Sequence, residues 1–346
     1  MRIRLIKTLK GGERLAEPVI TEEKEILISK GTILKPEYLD LIAFLGIESV
    51  CIEDPFEADE IPHRIISEEK KQQYISRVQK ILENHIYHAN HSLDQLAEVT
   101  DELLADLMDV DENIVIDMEE RNANLYEHTI MVTMLGILVA RKLKLNEESL
   151  HHVALGCMLH DLGLRYVTIP YVNCDMESLS SAEIFEYKKH TILAYSALEG
   201  ESWIDGISKK MILYHHERKD GSGFPLKQKV KDIECCILQA CDAFDCCISG
   251  MECKRIDIQK ALEYLMETAD VLFDKQVIKV IQELIARYPV GTKVRLNTGE
   301  VGIVIMQTEN SIRPVIEVLD ESDKLTGIRY SLDKNKKISI LQVEEV

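Results

Sequence analysis

The sequence contains no pair of cysteines spaced as C-x-x-C, although nine of its 346 residues are cysteines. Structural zinc knuckles hold their metal through such pairs, so this absence argues against that class of site. Cys235 and Cys236, like Cys246 and Cys247, are direct neighbours, and small buried hydrophobic residues are the better interpretation. Thiols without a disulfide pattern indicate a reducing compartment, and we therefore expect a cytoplasmic protein.

The sequence also lacks a long apolar run. Its longest mostly apolar stretch, residues 129–140, is shorter than the roughly 20 residues that a membrane-spanning helix needs. The charged residues 1–4 are not followed by the apolar stretch of a secretion signal before Gly11 and Gly12. The sequence therefore predicts neither a membrane span nor a secretion signal.

Positive charge is scarce, because 41 Lys and Arg stand against 60 Asp and Glu, for a formal net charge of −19. An acidic surface repels nucleic acid and anionic membranes, so we do not expect a nucleic-acid polymer as a partner. An anionic substrate would need local cations, and metal ions are their expected source.

Regions of different hydrophobic pattern follow one another along the chain. Residues 1–60 carry short β-like runs around one helix-like stretch and enter an acidic linker at residues 54–62. Residues 61–112 and 113–289 show apolar residues at three- and four-residue spacing, which predicts a helical linker and then a helical domain. Residues 290–346 return to β-like runs, which predict a small barrel-like or sandwich domain. These runs are Lys293–Leu296, Val301–Met306, Val315–Leu319, Ile328–Leu332 and Ile338–Val343. The expected fold is mainly α.

Histidines and aspartates interrupt the apolar faces of several predicted helices. One apolar stripe runs through Cys157 to Asp161, and His160 lies about 100° round the helix from Asp161. The residues with the same character elsewhere are His128, His190, His215, His216, Asp242 and Asp245. A buried carboxylate is costly unless it is paired or bound to a metal. Imidazole and carboxylate are favoured ligands of iron, manganese and zinc, although separate neutral partners in the core remain the alternative.

Six motifs occur in a fixed order along residues 113–288. They are Glu127-His128-Thr129, His160-Asp161-Leu162-Gly163 with Ile169-Pro170, His190, His215-His216-Glu217, the loop Asp220-Gly221-Ser222-Gly223-Phe224-Pro225, and Asp242-Ala243-Phe244-Asp245. In kind, order and spacing this set resembles the HD-GYP family. That family is a branch of the HD-domain phosphohydrolases and cleaves cyclic di-GMP, a bacterial second messenger.

The resemblance implies a helical HD-type metallohydrolase domain with two divalent transition-metal ions, iron or manganese. By position it implies that one metal is held by His128, His160, Asp161 and Asp242. It implies that Asp161 bridges to a second metal held by His190, His215 and His216. It also gives His160 and Asp161 the catalytic role and Asp245 the role of orienting a ligand.

The reaction that the resemblance implies is hydrolysis of a cyclic dinucleotide, with cyclic di-GMP as the leading substrate, by a hydroxide activated between two metals. The residues expected to contact the substrate are Gly221, Gly223, Phe224, Pro225 and Lys254. No receiver domain is apparent, so control by phosphorelay would need a signalling partner protein. The amphipathic helices around Ser67 to Met108 suit a homodimer.

The sequence departs from the family pattern at several positions. Leu164 stands where the family has a lysine, and Phe224 stands where the motif has a tyrosine. The segment after the last motif offers only Lys254 and Arg255 as cations. Asn124 stands where some members carry a glutamate linked to a third metal. The alternatives are therefore a degenerate HD-GYP protein, acting as a nucleotide-binding sensor or scaffold with little turnover, and an HD phosphohydrolase of another nucleotide.

Overall fold

The computed structural model of the protein describes a set of ranges separated by short gaps. These are residues 2–6, 9–20, 26–45, 47, 49–53, 65–87, 93–118, 121–174 and 176–344. The predicted acidic linker lies outside them. The chain divides into a helical unit, Arg64–Ile114 with Ala123–Leu284, and a second unit, Met1–His63 with Val115–Asn122 and Ile285–Val346.

The N-terminal part of the second unit combines two small antiparallel sheets with one helix. Strand β1 (Arg2–Leu5) pairs with β4 (Ser49–Ile52), and β2 (Val19–Ile20) pairs with β3 (Ile26–Ile28). Helix α1 (Pro36–Phe44) begins with a proline, which suits the first turn because an N–H there would have no helical partner. The predicted small α+β region is therefore confirmed.

The C-terminal part of the second unit is one antiparallel sheet. Its strands are β5 (Lys293–Leu296), β6 (Val301–Met306), β7 (Val315–Leu319), β8 (Leu325–Ser331) and β9 (Ile340–Val343), in the order β8-β7-β6-β5-β9. The first three have the predicted bounds, and the last two begin within a few residues of the prediction. Alternate side chains of this sheet, among them Val294, Leu296 and Val304, form its small core. The β structure expected for residues 290–346 is confirmed as one small antiparallel sheet.

The helical unit holds ten of the α-helices in the described part of the chain. They are α2 (Glu68–Tyr87), α3 (Gln95–Met108), α4 (Leu125–Lys142), α5 (Glu147–Leu159), α6 (Ser181–Lys188), α7 (His190–Leu198), α8 (Gly206–Tyr214), α9 (Ile233–Ser249), α10 (Ile258–Glu267) and α11 (Lys275–Leu284). Two 3₁₀ segments, His160–Tyr166 and Met176–Ser178, join α5 to α6. The mainly α fold is therefore confirmed.

Helix α4 is the central helix of this unit. It is apolar nearly all round, as expected for a helix in a core, and it contacts α2, α3, α5, α9 and α11. The core beside it includes the fully buried Leu103, Ile130, Ile137 and Leu155. Each such side chain contributes about 1.5–3 kcal/mol by its removal from water. Among the described helices, none combines the length and the hydropathy that a bilayer span requires.

Candidate metal centre

The predicted ligands come from five helices and the turns at their ends, and the structure brings all of them together. His128 lies in the first turn of α4, and His160 and Asp161 begin the 3₁₀ segment that follows α5. His190 is the first residue of α7, His215 and His216 follow α8, and Asp242 and Asp245 lie on α9. None of these side chains is more than 6% exposed. The site is therefore a buried polar cluster inside an apolar unit.

Local sequence explains where α8 begins, and the end of this helix presents two histidines. The Asp205 side chain caps this helix by accepting hydrogen bonds from the N–H groups of Ile207 (2.7 Å) and Ser208 (2.8 Å). The helix ends at Tyr214, so His215 and His216 project from its C-terminal end.

One half of the site is the ligand set predicted for the first metal. His128 Nε2 lies 3.2 Å from His160 Nε2 and 3.4 Å from both Asp161 Oδ2 and Asp242 Oδ1. His160 Nε2 lies 3.4 Å from Asp161 Oδ2. Four donor groups thus converge on one volume.

The other half contains the three histidines predicted for the second metal. His190 Nε2 lies 3.1 Å from His215 Nε2. One ligand atom from each of His190, His215 and His216 lies within 4.8 Å of the other two. Asp161 Oδ1 lies 3.5 Å from His215 Nε2 and 3.9 Å from His190 Nε2. Asp161 therefore presents one oxygen to each half.

The backbone fixes which nitrogen of each histidine faces the cluster. Nδ1 meets the carbonyl oxygen of the residue three positions earlier in three cases: Cys157 for His160 (2.7 Å), Tyr187 for His190 (2.8 Å) and Ile212 for His215 (2.7 Å). A carbonyl oxygen only accepts, so Nδ1 carries the proton and Nε2 offers its lone pair. For His128 the same support comes from Asp245, whose Oδ2 lies 2.7 Å from Nδ1.

Several buried oxygens at the centre call for a positive partner. Within the described residues, both oxygens of Asp161, Oδ2 of Asp242 and Oε1 of Glu252 have no hydrogen-bond partner. Buried carboxylate oxygens without partners are costly, and a cation would satisfy them. The donors are imidazole nitrogens and carboxylate oxygens, a set that suits divalent transition metals. The residues fit a metal centre.

Charges shift the titration of the first half. Burial acts to lower the pKa of His128 and His160, but the carboxylates of Asp161 and Asp242 outweigh it and raise both. Burial acts to raise the pKa of the two aspartates, but the same histidines hold both below their usual range. A cation and protons therefore compete for the same imidazole nitrogens.

In the second half of the site the pKa shifts have the opposite direction: histidine pKa values are lowered and a carboxylate pKa is raised. Burial lowers the pKa of His190 to about 4, and burial and then His215 lower the pKa of His216. Burial and then Asp161 raise the pKa of Glu252 to about 7. His190 and His216 are therefore neutral imidazoles at neutral pH, with their lone pairs available.

Glu252 belongs to this centre although the sequence analysis did not select it. Its Oε2 lies 3.1 Å from His216 Nε2, and the residue is 6% exposed. It lies in a loop after α9, where no helical period reveals burial. The one available signal was a carboxylate in a segment that the resemblance led us to expect to be basic.

The loop predicted to contact substrate lies against the second half. The Phe224 ring stacks on the His216 ring, with centroids 4.5 Å apart and planes 21° apart. Gly223 passes so close to this histidine that a Cβ would lie 2.3 Å from the His216 carbonyl oxygen. Buried Glu217 holds the far side of the loop by accepting from the N–H groups of Leu226 and Gln228.

The remaining predicted positions differ in their surroundings. Lys254 is exposed, and Gly221 and Pro225 are half-buried. Leu164 is 1% exposed and packs in an apolar cluster with Tyr187, Met251 and partly buried Phe224. The position where the family carries a lysine is therefore lined here by apolar groups.

Asn124 has a structural role in this chain. Its side-chain oxygen accepts hydrogen bonds from the N–H groups of Tyr126 (3.0 Å) and Glu127 (3.1 Å), so it caps α4. This cap fixes the start of α4 at Leu125, and so fixes the position of His128 in the first turn of the helix.

Comparisons with known proteins identify relatives of the helical region. The HD domain family model matches residues 102–277, just over half of the chain. A cyclic di-GMP phosphodiesterase of Pseudomonas aeruginosa is 29% identical over 190 residues, which are 54% of this chain and 45% of that protein. The cyclic di-GMP phosphodiesterase response regulator RpfG of Xanthomonas campestris is 31% identical over 149 residues, covering 42% of this chain and 39% of that protein.

Among solved structures, an HDG"Y"P protein from Bdellovibrio bacteriovorus aligns with a TM-score of 0.49 at 16% identity, covering 81% of this chain and 97% of that one. The chain spans less than half the length of the curated relatives named above. The family match and these relatives confirm the resemblance inferred from the motifs.

Proposed function

This chain belongs to the HD domain family, and we propose that it hydrolyses a phosphodiester bond of a cyclic dinucleotide, with cyclic di-GMP as the leading substrate. The observation that carries the proposal is the position of Asp161. Its two buried oxygens face two separate groups of histidines and lack hydrogen-bond partners in the described structure. Such a carboxylate suits a bridge between two cations.

The protein's own residues hold and orient the centre. His128, His160 and Asp242 would bind one ion, and His190, His215 and His216 would bind the other. Two divalent ions, iron or manganese, would supply positive charge and lower the pKa of water from about 15.7 towards 7. Asp245 keeps the His128 proton on Nδ1, so that Nε2 remains a ligand.

The walls of the site control its polarity and its contact with the nucleotide. Leu164, Tyr187 and Met251 are buried beside the centre and exclude water, which strengthens interactions between charges there. We assign substrate contact to the loop that carries Gly221, Gly223, Phe224 and Pro225, because Phe224 packs on a ligand histidine and is still partly exposed. We also assign substrate contact to Lys254, whose side chain is exposed.

The test is turnover by protein of measured metal content. Purified protein is reconstituted without oxygen with Fe²⁺ or Mn²⁺, and elemental analysis is expected to give close to two ions per chain. It is then incubated with cyclic di-GMP, cyclic di-AMP and cyclic GMP-AMP, and linear products are measured by chromatography. Metal-loaded protein that opens none of them would contradict the proposed reaction.

A sensor or scaffold with little turnover is the second candidate, and two observations favour it. Leu164 places no charge beside the centre, and Glu252 adds a negative one. Tight binding of a cyclic dinucleotide by metal-loaded protein, without linear product, would support this candidate instead of the enzyme.

A further inference from the structure

The backbone after α9 turns Glu252 inward and holds it there. Helix α9 ends at Gly250, whose φ of +80° reverses the chain, and Glu252 itself has a φ of +59°. The Glu252 N–H donates to the Tyr171 carbonyl oxygen at 2.7 Å, and the Asn173 N–H donates to the Gly250 carbonyl oxygen at 2.6 Å. A non-glycine residue in the left-handed region is uncommon, so these contacts compensate for an unfavourable backbone conformation.

The carboxylate that this turn presents faces the second half of the cluster. Oε2 lies 3.1 Å from His216 Nε2, and Oε1 lies 3.9 Å from His190 Nε2. Among the described residues, these two histidines have the ring nitrogens that lie within 4.0 Å of the Glu252 carboxylate. Donor atoms of Glu252, Asp161 and His190 all lie within 4.8 Å of one another. Oε1 is buried without a hydrogen-bond partner.

We infer that Glu252 is a further ligand of the metal position formed by His190, His215 and His216. This inference rests on the proposed function, since it adds a residue to the proposed centre. The contacts with His216 and with the Cys246 thiol would satisfy Oε2 and would leave Oε1 buried without a hydrogen-bond partner. A cation between the histidines and Asp161 satisfies both oxygens.

The added ligand changes the charge of the centre. Two divalent ions carry four positive charges, and Asp161, Asp242 and Glu252 offset three of them. The centre therefore holds its cations more tightly and attracts an anionic substrate less strongly than the same centre without Glu252.

The experiment is a Mn²⁺ titration of the chelator-treated protein. Calorimetry and electron paramagnetic resonance are the two readouts of binding. For the unmodified protein we expect two bound ions and the spectrum of a coupled pair. For Glu252→Gln we expect one site of unchanged affinity, a second weakened by at least about tenfold, and loss of the coupled spectrum at low Mn²⁺. Glu252→Asp keeps the charge on a shorter side chain. The Mn²⁺ affinity of its second site should lie between those of the unmodified protein and Glu252→Gln.

The matched control is Glu234→Gln, which removes a carboxylate from the first turn of α9. Glu234 accepts from the Ser149 hydroxyl at 2.7 Å, and its variant should titrate like the unmodified protein. Circular dichroism confirms that each variant is folded. If Glu252→Gln binds two Mn²⁺ with unchanged affinities and a coupled spectrum, Glu252 is not a ligand, while the two-metal proposal stands. If the unmodified protein binds no Mn²⁺, the metal centre and this inference are both wrong.

Discussion

Gly163 lies directly against the backbone of His190: a Cβ built on Gly163 would lie 1.9 Å from the His190 carbonyl oxygen. The contact joins the 3₁₀ segment that carries Asp161 to the helix that begins with His190. It therefore sets the spacing between the Asp161 carboxylate and the second group of histidines.

The first prediction concerns Gly163→Ala. The new methyl group must push the two segments apart, and overpacking of this kind costs about 1–3 kcal/mol of unfolding free energy. We expect that loss in urea unfolding, together with a fall in metal content measured on the folded protein. Gly206→Ala is the control, because its Cβ would meet no atom within 4 Å and alanine favours the helix. Unchanged stability and metal content in Gly163→Ala would contradict the spacing argument.

The second prediction compares two buried aspartates. Asp161→Asn removes the charge that both halves of the centre share, so both metal ions and turnover should be lost together. Asp245→Asn leaves the ligands in place but weakens the support of His128 Nδ1, and metal affinity should fall by about 10–100-fold. Metal analysis after dialysis against graded chelator separates the two results. Equal losses in both variants would show that Asp245 is itself a ligand.

The third prediction concerns Leu164→Lys, which restores the residue type that the family carries. Leu164 is buried among apolar side chains, so an ammonium group there loses its hydration. We expect a lower melting temperature for this variant, whereas Leu164→Met, which keeps volume and polarity, should cost less than about 1.5 kcal/mol. A lysine variant as stable as the unmodified protein would show that the side chain reaches the carboxylates of the centre.

The fourth prediction is a pH dependence at the start of α8. Burial acts to raise the pKa of Asp205, but hydrogen bonds from the Ser208 side chain and backbone outweigh it and hold the pKa below its usual value. A pKa that is lowered in the folded state stabilises the protein at pH values above the unfolded-state pKa of about 3.9. This stabilisation is lost as the pH falls through the folded-state pKa.

Asp205→Ala should therefore unfold about 1 kcal/mol more easily than the unmodified protein at pH 7. The difference should shrink as the pH falls below about 4, since the unmodified protein then loses its ionised cap. Urea titrations of both proteins at several pH values measure it. Asp205→Asn keeps a capping oxygen that does not titrate, so its stability relative to Asp205→Ala should not depend on pH in this range.

The proposed ligands could be selected from the sequence because a polar residue on the apolar face of a helix is conspicuous. Asp161 and Asp242 were recognisable for that reason, and the structure places both at the centre. The strand bounds at Lys293–Leu296 and Val301–Met306 followed from β-like runs between turns. The periodic pattern of apolar residues therefore predicted the helices and strands.

What the sequence could not reveal depends on contacts between distant segments. Glu252 is buried by a turn whose N–H bonds to Tyr171, far away in sequence, and no local pattern records that contact. In the sequence, Leu164 stands out only because the family has a cation at this position. In the structure it packs with Tyr187 and Met251 and is part of an apolar wall. In both cases the tertiary neighbours decide what the residue does.

The order of the ligands along the chain has a consequence for synthesis on the ribosome. His128, the first of the proposed ligands along the chain, precedes Asp242 by more than a hundred residues, and Asp242 lies in the middle of α9. A nascent polypeptide that has not reached Asp242 exposes imidazoles without the carboxylate that completes their set. The proposed centre can therefore bind its full set of ions only after α9 has been translated.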